Sequence, residues 1–345
     1  MSPTLAVRVA HGVVPSRTSS VGDVCRLFLE APVPRSTRSP RPLLVALLLA
    51  ILMALTACGG SSSGDTADAA SSDDSAWPVT VTGDDGELTI DEQPETIVSM
   101  SATATEMLFA IGADDQVEAV DSTSNYPEGV PTTDLSSFTP NAEAIAAYGP
   151  DLVVLSDDLN GIVDALDALE VPTLLLGAAQ DIDDSYTQLE TLGDATGHAD
   201  EATDVIADMQ DRIKAAVASV PQDVEGMRVY HELDPSFYSA ASSTFIGGIY
   251  SLFGLENIAD GAADAAGGYP QLSAEYVVGQ APDLIVLADT VCCDQSAEAL
   301  TQRPAFDTVP AVQEGRVLAA NDDIASRWGP RVADFTEQLA DVLQG

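Results

Sequence analysis

Carboxylates are the one reactive group this 345-residue chain holds in abundance, with 55 Asp and Glu against 13 Lys and Arg and three His. A hydrolase built on them needs two acids at a defined separation, and no spacing here singles out a pair. Beyond residue 57 there are two histidines, His198 and His231, and three cysteines, Cys58, Cys292 and Cys293. His231 shares strand parity with Val229 and Leu233, which predicts a packed core histidine rather than a ligand. Cys292 and Cys293 are adjacent. Outside the cytoplasm such a pair fits either a vicinal disulfide or two reduced thiols, and with no histidine nearby it makes a poor zinc site. The chain has no His-Glu-x-x-His, no Walker loop, and no Gly-x-Ser-x-Gly elbow between a strand and a helix pattern. These exclusions favour binding over turnover, with no catalytic residue, cofactor or resident metal.

Charge narrows the partners. Six of the 13 basic residues precede Cys58, so the remainder carries 7 basic against 53 acidic groups, a formal net of 7 − 53 = −46. Such a surface repels nucleic acid. Its self-repulsion weakens as salt shortens the screening length, which suits either a salt-adapted surface or simply an acidic exported one.

Leu43 to Leu55 is a 13-residue apolar run preceded by Arg35, Arg38 and Arg41 and followed by Leu55-Thr56-Ala57-Cys58. It is too short for a spanning helix of ~20 residues and has the layout of an export signal. The Leu-Thr-Ala-Cys ending resembles the lipobox of bacterial lipoproteins, which implies lipidation of Cys58 and anchorage to the extracytoplasmic face of the cell membrane. Residues 1–57 are thus read as signal peptide, with 1–34 lying upstream of an alternative start. Residues 58–77 form the lipidated cysteine and a Gly/Ser/Asp/Ala tether that cannot order itself.

The elements beyond the tether alternate. Val79 to Thr82 and Glu87 to Ile90 read as a hairpin across Asp84-Asp85-Gly86. Strands are predicted at 96–100, 117–120, 152–155 and 173–176, with helices between them, one opened by a Thr103-x-x-Glu106 capping box. Alternation of this kind implies a parallel sheet covered by helices. An internal echo at an offset of 132 residues aligns Asn141–Ser156 with Ser273–Ala288, seven of sixteen positions being identical. Each copy reads as capped helix, Pro-Asp turn and buried strand, so two similar lobes are expected. Between them, 200–220 has helical apolar spacing.

Pro94 to Gly112, Asn125-Tyr-Pro127, the Asn141 and Pro150-Asp151 segments and the closing Ala325-Ser-Arg-Trp-Gly-Pro-Arg331 together resemble the iron-siderophore and vitamin B12 binding proteins of ABC importers. The resemblance spans about residues 88 to 345. It implies an α/β fold of two Rossmann-like lobes bridged by one long α-helix, the class III periplasmic-binding-protein architecture. The N-terminal lobe would be 78–198, the connecting helix 199–221 and the C-terminal lobe 222–345. It also implies a monomer that hands a small ligand to a permease and its ATPase. One glutamate per lobe would dock on permease arginines; the matching residues are Glu143 and Glu275, which are also equivalent in the echo. By position, Tyr126, Phe138, Phe237, Tyr269 and Trp328 correspond to the cleft aromatics that grip a corrinoid (cobalamin), and Arg327 to a cation facing a ferric-siderophore ligand. Haem is a third option. Ser156-Asp157 stands where B12 binders often carry a further tryptophan.

Overall fold

The computed structural model describes residues 77–262 and 266–345. The signal peptide, Cys58 and the tether fall outside them.

Strands β1 (Val79–Gly83) and β2 (Gly86–Ile90) form the expected hairpin, turning at Asp84-Asp85. Gly86 has φ 136°, a region that side chains avoid. Two four-stranded parallel sheets follow. The first holds β3 (Ile97–Met100), β4 (Val117–Val120), β5 (Leu152–Leu155) and β6 (Thr173–Leu175) in the order β4-β3-β5-β6. The second holds β7 (Arg228–Glu232), β8 (Glu256–Asn257), β9 (Leu284–Leu287) and β10 (Val317–Ala319) in the order β8-β7-β9-β10. One order maps onto the other when β3 is matched to β7 and β5 to β9. The echo in sequence is therefore a repeat of topology. β3, β5 and β9 are buried along their whole length, as strands covered on both faces must be.

The helices are α1 (Ala102–Ala110), α2 (Ala142–Ala146), α3 (Ile162–Asp167), α4 (Ile182–Thr196), α5 (Ala199–Ser219), α6 (Phe245–Leu252), α7 (Ala274–Gln280), α8 (Ala297–Thr301), α9 (Pro310–Gln313), α10 (Asp322–Ser326) and α11 (Val332–Gln344). Asn141 caps α2 through the Ala144 N–H at 2.9 Å, and Ser273 caps α7 through the Tyr276 N–H at 3.2 Å. The aspartates of the echoed Pro-Asp turns share a second task. Asp151 accepts the N–H groups of Glu95 and Thr96, and Asp283 that of Arg228, so each holds the entry of the neighbouring strand.

The capping box does not form. Ser101 is the N-cap of α1, accepting the Ala104 N–H at 3.2 Å, and Glu106 is turned elsewhere. A serine already in extended backbone at the strand end meets the free N–H groups first.

Helix α5 is the strut. Its 21 residues make about 30 Å of helix. Ala202, Ile206 and Met209 sink into the core of the first sheet, and Ile213 and Ala216, further along the same stripe, into the core of the second. Each buried Ile or Met stabilises by about 1.5–3 kcal/mol, so one helix ties both lobes. Where α4 meets α5, a Cβ on Gly193 would stand 2.6 Å from that of Ala202, so glycine permits the close approach. Arg212 of α5 pairs with Asp334 and Glu337 of α11. No helix of the described residues is long and apolar enough to cross a membrane.

Candidate ligand cleft and lobe seam

In parallel αβ folds ligands sit outside the carboxyl ends of the strands. The loop leaving β4 begins at Asp121, which is fully buried. Thr123 Oγ1 (2.6 Å) and Ser137 Oγ (2.8 Å) donate to one of its oxygens and Ser124 Oγ (2.6 Å) to the other. This net fixes the loop that carries Asn125 and Tyr126. Tyr126 is 43 % exposed and precedes a cis proline, Pro127. Phe138, at the far end of the same loop, is half-buried.

The two lobes meet on a buried glutamate. Glu106 of α1 is 3 % exposed and accepts from two arginines more than 200 residues away. Arg327 Nη1 donates at 2.7 Å to Oε1; Arg331 Nε donates at 2.8 Å to Oε2, and its Nη2 also reaches Oε1. Arg327 further donates to Asn125 Oδ1 (3.0 Å), the Thr123 carbonyl (3.1 Å) and Asp323 Oδ1 (2.8 Å). Asn125 Nδ2 closes the ring on Asp323 at 2.8 Å. The Arg331 guanidinium lies 4.1 Å from the centre of the Tyr126 ring, a cation–π contact. Burial works against the Arg331 charge, but the hydrogen bonds and charge of Glu106 outweigh it and push its pKa up.

Trp328 spans the same seam. Its indole N–H donates to Gln188 of α4 at 2.8 Å, its carbonyl accepts from Ser185, and its ring packs against both lobe cores. The seam thus brings together Tyr126, Arg327 and Trp328 of the expected residues. It adds Glu106, Asn125, Asp323 and Arg331.

Phe237 and Tyr269 lie elsewhere, on opposite faces of the second sheet. Phe237 packs with the layer that includes Tyr230 and Ile285, Tyr269 with the one that includes Val229 and Val286. Phe237 stacks on Phe306 with centroids 6.3 Å apart, and the Arg303 guanidinium sits 5.4 Å from its ring. Burial pushes the Tyr269 hydroxyl pKa up, with a hydrogen bond from Thr244 opposing. His231 is fully buried, its Nδ1 2.6 Å from Tyr250 Oη, and burial lowers its pKa to about 3. Glu143 and Glu275 are both exposed in first helical turns. Cys292 and Cys293 are half-buried on the loop after β9, which Asp322 holds by accepting the N–H groups of Val291 and Cys292. Among the described residues no group of three or more His, Cys, Asp or Glu is arranged to hold a metal.

Residues 97–324 match the family described as periplasmic binding protein. This chain is a periplasmic binding protein. It is 29% identical over 311 residues, 86% of its length and 95% of the relative's, to an uncharacterized ABC transporter substrate-binding lipoprotein of Bacillus subtilis. A cobalamin-binding protein of Halobacterium salinarum is 30% identical over 265 residues, covering 74% of this chain and 71% of that one. Among solved structures, a periplasmic heme binding protein of Vibrio cholerae superposes with a TM-score of 0.65 at 21% identity, over 72% of this chain and 99% of the other. That likeness speaks for the fold alone. This binding protein has the class III layout of two αβ lobes and one long helix.

Proposed function

We propose that this protein captures a corrinoid of the cobalamin type between its lobes and delivers it to the permease and ATPase of an importer, while lipid on Cys58 keeps it at the membrane. The observation that carries the ligand class is the fate of the cations. Of the seven basic residues after Cys58, Arg212, Arg303, Arg316, Arg327 and Arg331 are each ion-paired within the protein. An anionic ferric complex requires free cations to offset its charge and would meet a net charge near −46 instead. A large, mostly neutral macrocycle needs apolar area and stacking, which Tyr126, Phe138 and Trp328 can supply. Haem is disfavoured as a histidine-ligated cargo because His231 is buried against Tyr250. The cobalamin-binding relative agrees with this reading.

The test is titration of the full chain carrying W77F, so that Trp328 is the sole indole. Cyanocobalamin should quench it saturably at one equivalent, whereas hemin and anionic ferric siderophores should not. Saturable binding of a ferric siderophore without cyanocobalamin binding overturns the ligand class. For delivery, Glu143→Ala with Glu275→Ala should abolish uptake and leave affinity unchanged; lost affinity contradicts the docking role. Cys58→Ser should release the protein from the cell surface.

A further inference from the structure

A buried acid pair lies in the C-terminal lobe, apart from the seam. Glu232 ends β7 and Asp289 follows β9, and both are 0 % exposed. Glu232 is well supplied with donors. Arg303 grips it with Nη1 on Oε2 at 2.6 Å and Nη2 on Oε1 at 2.5 Å, and Tyr230 Oη donates to Oε2 at 3.0 Å. Asp289 is not. No hydrogen-bond donor reaches either of its carboxyl oxygens, and the strand register sets it beside another acceptor: Leu287 lies opposite Glu232, and the Ala288 N–H bonds the Glu232 carbonyl. An ionised carboxylate in that position has no protein donor to replace the hydration lost on burial, while one proton would turn two repelling acceptors into a donor–acceptor pair. The charge count agrees: Glu232 and Arg303 cancel, so a second buried anion has no counter-ion.

We propose that Asp289 and Glu232 share one proton, and that this carboxyl pair is a pH-sensitive latch on the segment from Asp289 to Arg303. The groups around it come from every side. Tyr230 and Glu232 lie on β7, Gln295 on the loop, Arg303 just past α8, and Asp322 at the start of α10. Burial, then the charge and hydrogen bond of Glu232, and lastly Asp322, push the Asp289 pKa up to about 8, with Arg303 opposing. The segment is pinned to the pair. Gln295 accepts from Arg303 and donates to the Cys293 carbonyl, and its N–H bonds the Asp289 carbonyl. Arg303 also lies beneath the Phe237 and Phe306 rings. Loss of the proton would leave two buried charges facing one guanidinium, loosening the cysteine loop and the Arg303 shelf together.

The sign follows from the shift. An aspartate whose folded pKa lies above its unfolded value stabilises most at low pH, and that contribution is lost as pH rises from about 4 to about 8. The experiment compares the full chain with Asp289→Asn in denaturant unfolding from pH 6 to 9. Between pH 6 and 9 the unfolding constant of the natural chain should rise about 100-fold relative to the variant, levelling off above pH 8, with hydrogen exchange in 289–303 quickening over the same interval. Parallel pH profiles overturn the proposal. Should Asp289→Asn fail to fold, infrared spectra of the natural chain decide. A protonated-carboxyl C=O band present at pH 7 and gone by pH 9 supports the pair, and its absence at pH 7 refutes it.

Discussion

Each lobe buries an aspartate just past the carboxyl end of a parallel strand, Asp121 after β4 and Asp289 after β9. Asp121 is met by three hydroxyls, all from residues within 16 positions of it. Asp289 is met by none. Burial alone therefore does not determine how a carboxylate behaves; the donors supplied by its own loop do. The hydroxyl-rich loop of the N-terminal lobe makes a rigid platform for Tyr126 and Asn125 at the seam. The C-terminal lobe spends its donors on Glu232 and leaves the second acid to a proton.

Breaking the seam should have the largest effect. Glu106→Gln removes the counter-charge of two guanidinium groups that are 12 and 13 % exposed. Stranding buried charge costs about 3–5 kcal/mol, on the order of 10 °C in Tm for a body of this size, and calorimetry reads it directly. The next contrast sets the two aspartates against each other at pH 8. Asp121→Ala deprives three hydroxyls of their acceptor and should cost about 1–3 kcal/mol, whereas Asp289→Asn should cost nothing there. Equal losses in denaturant melts would erase the distinction between the lobes.

A smaller effect belongs to the strut. Arg212 holds the Glu337 carboxyl below its usual range, chiefly through their hydrogen bond. The stabilisation is present above the unfolded pKa of about 4.3 and is lost as pH falls through the folded value. Because the pair is 33 and 44 % exposed, screening limits it to under about 1 kcal/mol. Arg212→Met should lower Tm slightly at pH 7 and not at all near pH 2. Smallest is the Cys292–Cys293 disulfide that we propose for the oxidised protein. Intact mass under denaturing, non-reducing conditions should be two hydrogens below the dithiol, and full alkylation without reductant would contradict it.

Much of the frame was legible in the sequence. The 132-residue echo foretold two similar lobes, and Asn141 and Ser273 announced their caps because an N-cap bonds a backbone three residues on. The seam was harder to see. Thr103 and Glu106 have capping-box spacing, and the Ser101 that displaces Thr103 lies two residues earlier. Nothing local tells a helix-start glutamate from one that will meet arginines 221 and 225 positions away. The signal that was present is compositional: Arg327 and Arg331 lie four apart in a chain with few cations, and such a pair calls for a buried partner. Phe237 and Tyr269 are both read as cleft aromatics from loop position, which does not reveal sheet face, and they pack on opposite faces of the second sheet.

The central claim is that the seam arginines are committed to Glu106, so that the cleft selects a neutral ligand. Isothermal titration of the full chain with cyanocobalamin and with an anionic ferric siderophore, at low and at high salt, tests it most directly. One-site cyanocobalamin binding that barely changes with salt is expected, with no measurable heat from the siderophore. Tight siderophore binding that weakens as salt rises would mean that free cations line the cleft, and would contradict it.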